Sequence, residues 1–253
     1  MASVEAAGHS LNYEWLAGDA AKPTLVFLHE GLGSIQQWRD FPARVAQATG
    51  CRALVYDRYG YGQSDVLQEK RRDTQFMHFE ALKSLPQVLK ALKIENPILV
   101  GHSDGASIAL IHAGAHAVKG VAVMAPHVFI EQICIDSIVA ARKTFETTDL
   151  PQRLGRYHRD VSKTFYGWAD VWLDPEFKRW DIRDDFLPRI TSPVLAIQGQ
   201  DDEYGTMAQL DEIKRCVKGP CGLVKLEKCG HSPFRDQPDG TLSAVQSFVG
   251  KLI

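Results

Sequence analysis

The chain has 253 residues, of which 45% are hydrophobic and 24% charged, and its formal charge is −2 at pH 7. That length suits one large α/β domain or two small ones, and the composition is ordinary for a soluble globular protein. The near-neutral balance supplies no general pull toward nucleic acid or an anionic membrane, and no apolar stretch approaches the roughly 20 residues of a membrane span.

The segment 1–10 has no basic stretch followed by an apolar core, so it does not read as a signal peptide, and a cytoplasmic location is expected. Leu11–Leu16 fits an antiparallel edge strand. Thr24–Leu28 follows as a continuous apolar run, then a helical pattern over Trp38–Ala48, then the run Ala53–Tyr56. Phe76–Leu92 carries an amphipathic stripe with Pro86 as a possible kink. Pro97–Val100 precedes a small-residue helical segment over Ser107–Val118, and Val121–Met124 is the next run. Val194–Gln198, Leu223–Leu226 and a C-terminal helix over Leu242–Leu252 complete the order. Runs that are apolar throughout, rather than alternating, suit central strands covered on both faces. Their alternation with helical patterns predicts a mostly parallel α/β sheet flanked by helices.

Residues 126–188 break the rhythm. They hold no convincing strand but several helix-like pieces, Ile130–Phe145, Pro151–Tyr166 and Pro175–Trp180, and many aromatic residues. This stretch reads as a helical insertion, with 1–125 and 189–253 as the core domain.

The segment Gly101-His102-Ser103-Asp104-Gly105 lies where a predicted strand meets a predicted helix. A serine hydroxyl is a weak nucleophile until a base takes its proton. A sharp strand-to-helix turn projects that hydroxyl into a crevice, and flanking glycines remove the side chains that would clash. The following helix offers free N–H groups and the positive end of its dipole to an oxyanion. In chain order the acid and then the histidine should follow such a serine. His231 sits in a Gly/Pro-shaped loop after the last predicted strand, and is the expected base. Gly199-Gln200-Asp201-Asp202-Glu203 follows the strand before it, and Asp202 is preferred over Asp201 as the acid that orients the imidazole. Two N–H donors must face the oxyanion. The Asp104 amide is one; the other is expected from Glu30-Gly31-Leu32, with Gly31 favoured.

Together with Asp57–Ser64 and His29–Gly33, these motifs resemble the α/β-hydrolase fold superfamily along essentially the whole chain. The resemblance implies an eight-stranded, mostly parallel sheet and a serine hydrolase with a helical lid at 126–188. Many members carry His-Gly where this chain has His29-Glu30, which brings a carboxylate close to the expected pocket. Its simplest reading is a solvated or salt-bridged acid. Ser103 argues against the aspartate-dependent dehalogenases and epoxide hydrolases of this fold, and favours hydrolysis of an ester, thioester or lactone. Carbon–carbon hydrolysis of ring-fission diketones, or a catalytically weak ligand receptor on the same fold, are the alternatives. Phe129, Trp168 and Trp172 are candidate substrate contacts from the lid, with Glu30 from the early loop. Arg153, Arg156, His158, Arg159 and Lys163 raise the further possibility of a cationic patch for an acidic substrate.

No cofactor is expected: Gly31-Leu32-Gly33 and Gly60-Tyr61-Gly62 do not complete a dinucleotide fingerprint, because the third glycine positions are Gln36 and Asp65. Nor is a metal: Cys216, Cys221, Cys229 and His231 fit no zinc spacing, and five cysteines in all suggest reduced thiols. The expected partner is a small-molecule substrate, with no nucleic acid and no membrane; the sequence carries no signal for oligomeric state.

Overall fold

Residues 2–253 are described by a computed structural model. Eight strands form one sheet: β1 (Ala2–Ala6), β2 (His9–Leu16), β3 (Leu25–Leu28), β4 (Ala53–Tyr56), β5 (Ile98–His102), β6 (Gly120–Met124), β7 (Val194–Gly199) and β8 (Cys221–Leu226). Their order across the sheet is β1-β2-β4-β3-β5-β6-β7-β8. β2 pairs antiparallel with both β1 and β4, and all later pairs are parallel. The eight-stranded, mostly parallel sheet is therefore as expected.

The continuous apolar runs have a direct cause. In β3, Leu25 and Phe27 enter a cluster with Trp38, Phe41, Val45 and Val249, on the face covered by α1 (Phe41–Thr49) and by the C-terminal helix. Val26 and Leu28 enter the opposite cluster with Leu85, Val88 and Ile108. Strand side chains alternate between faces, so a strand covered on both sides must be apolar at every position.

The same topology places the crevice. From β3 the chain passes to β4 on one side, and then crosses back to β5 on the other. Where strand order reverses, the loops leaving the two strands diverge and leave a cleft at their carboxyl ends. The loops bordering it here are those after β3 and β5, the two the sequence marks out with glycines.

Several boundaries move. Leu11–Leu16 is not an edge strand: β1 lies outside it, and its short, charged, half-exposed sequence gave little apolar signal. Trp38 belongs to a separate 3₁₀ turn, Gln36–Trp38, because Arg39 takes φ 56° before α1 begins. The run Phe76–Leu92 holds α2 (Phe76–Phe79), a π turn over Glu80–Ser84 and α3 (Leu85–Ala91). Pro86 lies in the first turn of α3, where its missing N–H costs little. α4 runs Asp104–Ala113, starting earlier and stopping sooner than Ser107–Val118, with Gly114 closing it.

Residues 126–188, between β6 and β7, contain α5 (Gln132–Thr147), α6 (Leu150–Leu154) and α7 (Val161–Trp172). The stretch Pro151–Tyr166 is thus two helices, and Pro175–Trp180 tightens to a 3₁₀ turn at Phe177–Arg179. Phe165, Trp168, Trp172, Phe177 and Trp180 from this segment pack in the same buried cluster as one face of the sheet. The remaining helices are α8 (Ala208–Cys216), which the apolar pattern did not reveal, α9 (Pro233–Asp236) and α10 (Pro238–Gly250). Among the described residues, no helix is long and apolar enough to cross a membrane.

Candidate active site

Ser103 lies between the end of β5 and the start of α4, with φ 52° and ψ −118°. A side chain in this conformation is strained by roughly 1–3 kcal/mol and persists only where the surroundings hold it. They do so here: Ser103 N donates to Met124 O at 2.9 Å, and its carbonyl accepts from the Ala106 and Ser107 amides at 2.9 and 3.0 Å. The two glycines make this approach possible. A Cβ at Gly105 would sit 2.0 Å from the Leu28 carbonyl oxygen, and one at Gly101 would sit 2.4 Å from Gly105 O.

The loop after β8 brings His231 over this turn. Its Nε2 lies 2.9 Å from Ser103 Oγ, and its Nδ1 lies 2.8 Å from Asp202 Oδ1. A carboxylate only accepts, so Nδ1–H donates to Asp202 and Nε2 is left to accept from the serine hydroxyl. Asp202 is 7% exposed and is itself held in place. The Tyr204 amide donates to Oδ1 at 2.8 Å, and the Gln198 side-chain amide donates to Oδ2 at 3.2 Å. Burial opposes ionisation of Asp202, but the hydrogen bond and charge of His231 outweigh it, and its carboxyl stays below the ordinary range. Burial likewise opposes protonation of His231, and the hydrogen bond and charge of Asp202 prevail, raising the imidazole above 6.5. His112 and His116, the other histidines close behind Ser103, stack on each other at 4.6 Å, and His112 bonds the Ala81 carbonyl.

Among the described residues, the amide N–H groups of Asp104, Gly31 and Leu32 have no acceptor. The first belongs to the free first turn of α4, and the other two to the loop after β3. Gly31 has a steric cause: a Cβ there would sit 2.1 Å from Trp168 Nε1. Only glycine leaves room for the edge of that indole against the loop.

Glu30 lines the cleft but is not free. Its Oε2 is 3.3 Å from His102 Nδ1, and its Oε1 is 3.5 Å from Arg235 Nη2. His102 Nε2 in turn donates to the His231 carbonyl at 2.7 Å. Burial would raise Glu30, yet the hydrogen bond and charge of His102, with Arg235, hold its carboxyl well below the usual range. The carboxylate thus ties the early loop, the turn at Ser103 and the His231 loop together.

The cleft above Ser103 measures about 110 Å³. Leu32, Cys134, Ile138, Trp168, Trp172 and Tyr204 form most of its wall, with His127 and Asp104 as further polar members. Trp168 and Trp172 thus both line the cleft. Phe129 does not: it lies outside this lining, under the Arg183 guanidinium at 4.5 Å, and bridges to Asp181 through its backbone. None of the five basic residues Arg153, Arg156, His158, Arg159 and Lys163 reaches the cleft lining. Arg153 pairs with Asp149, Arg159 faces Asp65 at 3.9 Å, and buried His158 links the Gly62 amide to the Leu32 carbonyl.

Four contributors had no usable sequence signal. Gln198, Tyr204, Cys134 and Ile138 reach the site only because strand ends and α5 converge on it. The Asp104 carboxylate is the other surprise. It is completely buried, and neither oxygen has a hydrogen-bond partner. Burial pushes it up to about 6 against the nearby charges of Arg58 and Arg72.

Residues 25–244 match the model of the Alpha/beta hydrolase family. The sn-1-specific diacylglycerol lipase ABHD11 of Mus musculus is 33% identical, covering 94% of this chain and 85% of that protein. A proline iminopeptidase of Lactobacillus helveticus is 27% identical over 96% of this chain and 95% of its own. Among solved structures, the enol-lactonase from Burkholderia xenovorans LB400 superposes with a TM-score of 0.76 at 20% identity, over 98% and 99% of the two chains.

Proposed function

The chain belongs to the alpha/beta hydrolase family, and within it we propose a serine hydrolase that transfers an acyl group to water from a small carboxylic ester, thioester or lactone. The observation that carries this reading is the linear relay from Ser103 Oγ to His231 Nε2, at 2.9 Å, and from His231 Nδ1 to Asp202, at 2.8 Å. The relatives named above, a lipase, an iminopeptidase and a lactonase, support cleavage at an acyl carbon.

In this reading His231 Nε2 takes the Ser103 proton as Oγ attacks the carbonyl carbon. The carbonyl π electrons move to oxygen, and the amides of Asp104 and Gly31 hold the resulting oxyanion. Asp202 keeps Nδ1–H aimed at itself and stabilises the imidazolium formed. Collapse of the adduct breaks the bond to the leaving oxygen or sulfur, which receives the proton from Nε2. Water then repeats the sequence on the acyl-enzyme: His231 takes its proton, hydroxide adds, and the proton returns to Ser103 as the acid departs. Residues 126–188 act as the lid that walls the cleft, with Trp168 and Trp172 against the substrate and the core formed by 1–125 and 189–253.

Turnover measured on matched short esters, thioesters, lactones and a vinylogous diketone tests the reading. Ester, thioester or lactone hydrolysis is expected, falling by about 10⁴-fold or more in Ser103→Ala. Exclusive cleavage of the diketone, or full activity in Ser103→Ala, would reject it.

A further inference from the structure

The Asp104 carboxylate is not explained by the relay. The proposed chemistry uses its main-chain amide only. The side chain lines the Ser103 cleft, is fully buried, and leaves both oxygens without a well-formed hydrogen bond among the described residues. A buried carboxylate in this condition is costly, and such groups in native proteins find a partner in water or a ligand.

Its neighbours do not fill that role. Arg58 makes no hydrogen bond to Asp104: its Nη2 donates to the His29 and Glu30 carbonyls, and its buried Nε and Nη1, also without partners, reach the carboxylate only as a nearby charge. Arg72 Nη2 donates to Tyr59 O, and both guanidinium groups lie against the Tyr61 ring, at 4.7 and 4.5 Å. No ion pair joins either arginine to Asp104 among the described residues. The Trp172 indole N–H lies close enough to favour the ionised carboxylate as a weak donor, but it falls short of full hydrogen-bond geometry, and a single such donor leaves most of the acceptor sites of the carboxylate free. Asp104 Oδ2 lies 3.1 Å from the position a Cβ would take on Gly31, so the carboxylate sits beneath the loop after β3.

The two ends of the cleft differ. The His231 side chain is 13% exposed and must give a proton to the leaving group and then admit water. The leaving group therefore takes the His231 end. The acyl group takes the more buried side, lined by Asp104, Trp168 and Trp172.

Resting on the serine hydrolase reading above, we infer that Asp104 is a specificity determinant of the acyl site, accepting a hydrogen bond from an amino or hydroxyl group carried one or two carbons from the scissile carbonyl. Either group replaces water at oxygens the protein leaves free, whereas an alkyl group displaces that water and returns nothing. A site built to accept from a substrate N–H or O–H rejects the analogue lacking it.

The test compares phenyl esters in two isosteric sets: glycyl, glycoloyl and propionyl, then β-alanyl, 3-hydroxypropionyl and butyryl. Wild-type kcat/KM is expected to favour an amino or hydroxy ester over its alkyl isostere by about tenfold or more, after correction for uncatalysed rates. If the ligand is an ammonium group, that preference falls about tenfold in both Asp104→Asn and Asp104→Ala, since both remove the charge. If it is a hydroxyl, the preference survives in Asp104→Asn, whose carbonyl still accepts, and falls in Asp104→Ala. Circular dichroism establishes that each variant is folded, and the wild-type preference stands as a measurement that needs no variant. Alkyl esters hydrolysed as well as both donor-bearing isosteres would overturn the role of Asp104 while leaving the serine hydrolase intact. Turnover that persists in Ser103→Ala would overturn both.

Discussion

At the scale of single residues, His231 sets the pH behaviour. As the proposed base it works only when Nε2 is unprotonated. Burial acts to lower its pKa, but the hydrogen bond and charge of Asp202 override burial, so the imidazole titrates above 6.5. Activity is therefore lost as pH falls through a value above 6.5. A profile of kcat/KM against pH checks this, with an acid limb above the ordinary histidine value expected. In Asp202→Asn the raising charge disappears and the hydrogen bond to Nδ1 weakens, so the limb moves to lower pH along with a large fall in rate. Asp104 shows the opposite balance, with burial prevailing and its carboxyl pushed up to about 6. For an acid with a raised folded-state pKa, the cost to folding is complete above that value and fades as pH falls toward the unfolded value. A destabilising acid at the floor of a cleft is what a group held ready for a ligand looks like.

At the scale of elements, the turn between β5 and α4 is the part under most strain. The Ser103 conformation, φ 52° and ψ −118°, suits glycine far better than a residue with a Cβ. Ser103→Gly is therefore expected to be more stable than Ser103→Ala by about 1 kcal/mol or more in urea denaturation, although both lack the hydroxyl. Equal stabilities would mean that the surrounding hydrogen bonds leave no strain there. This turn was legible in the sequence because its cause is local: an apolar run, two glycines and a small-residue helix lie within a few positions. The central strands were legible for a similar reason, since burial on both faces leaves no polar position along the run. β1 and α8 were not. The first is a half-exposed edge with the pattern Ala-Ser-Val-Glu-Ala, and the second buries only Gln209, Leu210 and Ile213. The Glu30–His102–His231 tie was equally hidden, because it joins residues 72 and 129 positions apart. Sequence spacing carries no trace of such a contact, and only the sheet order brings its members together.

At the scale of the whole molecule, the cleft is made jointly by the sheet's switch point and the segment 126–188. Trp168 and Trp172 on α7 and Ile138 on α5 close it to about 110 Å³. Phe129 lies outside the cleft lining and packs, partly buried, against the cluster that holds segment 126–188 to the sheet. So small a space predicts a preference for short acyl chains. Across a series of linear esters kcat/KM should peak at about four carbons or fewer and drop steeply toward about twelve. Trp168→Ala should flatten that decline by opening the wall against Gly31. A rise in kcat/KM with chain length in the native protein would show that the wall yields.

The most direct test of the central claim, that Ser103 is the nucleophile activated by His231, is labelling with a fluorophosphonate followed by peptide mapping. The account predicts one label, on the peptide containing Ser103, that is lost in Ser103→Ala and strongly slowed in His231→Ala. A label on any other residue, or none on folded protein, would contradict it.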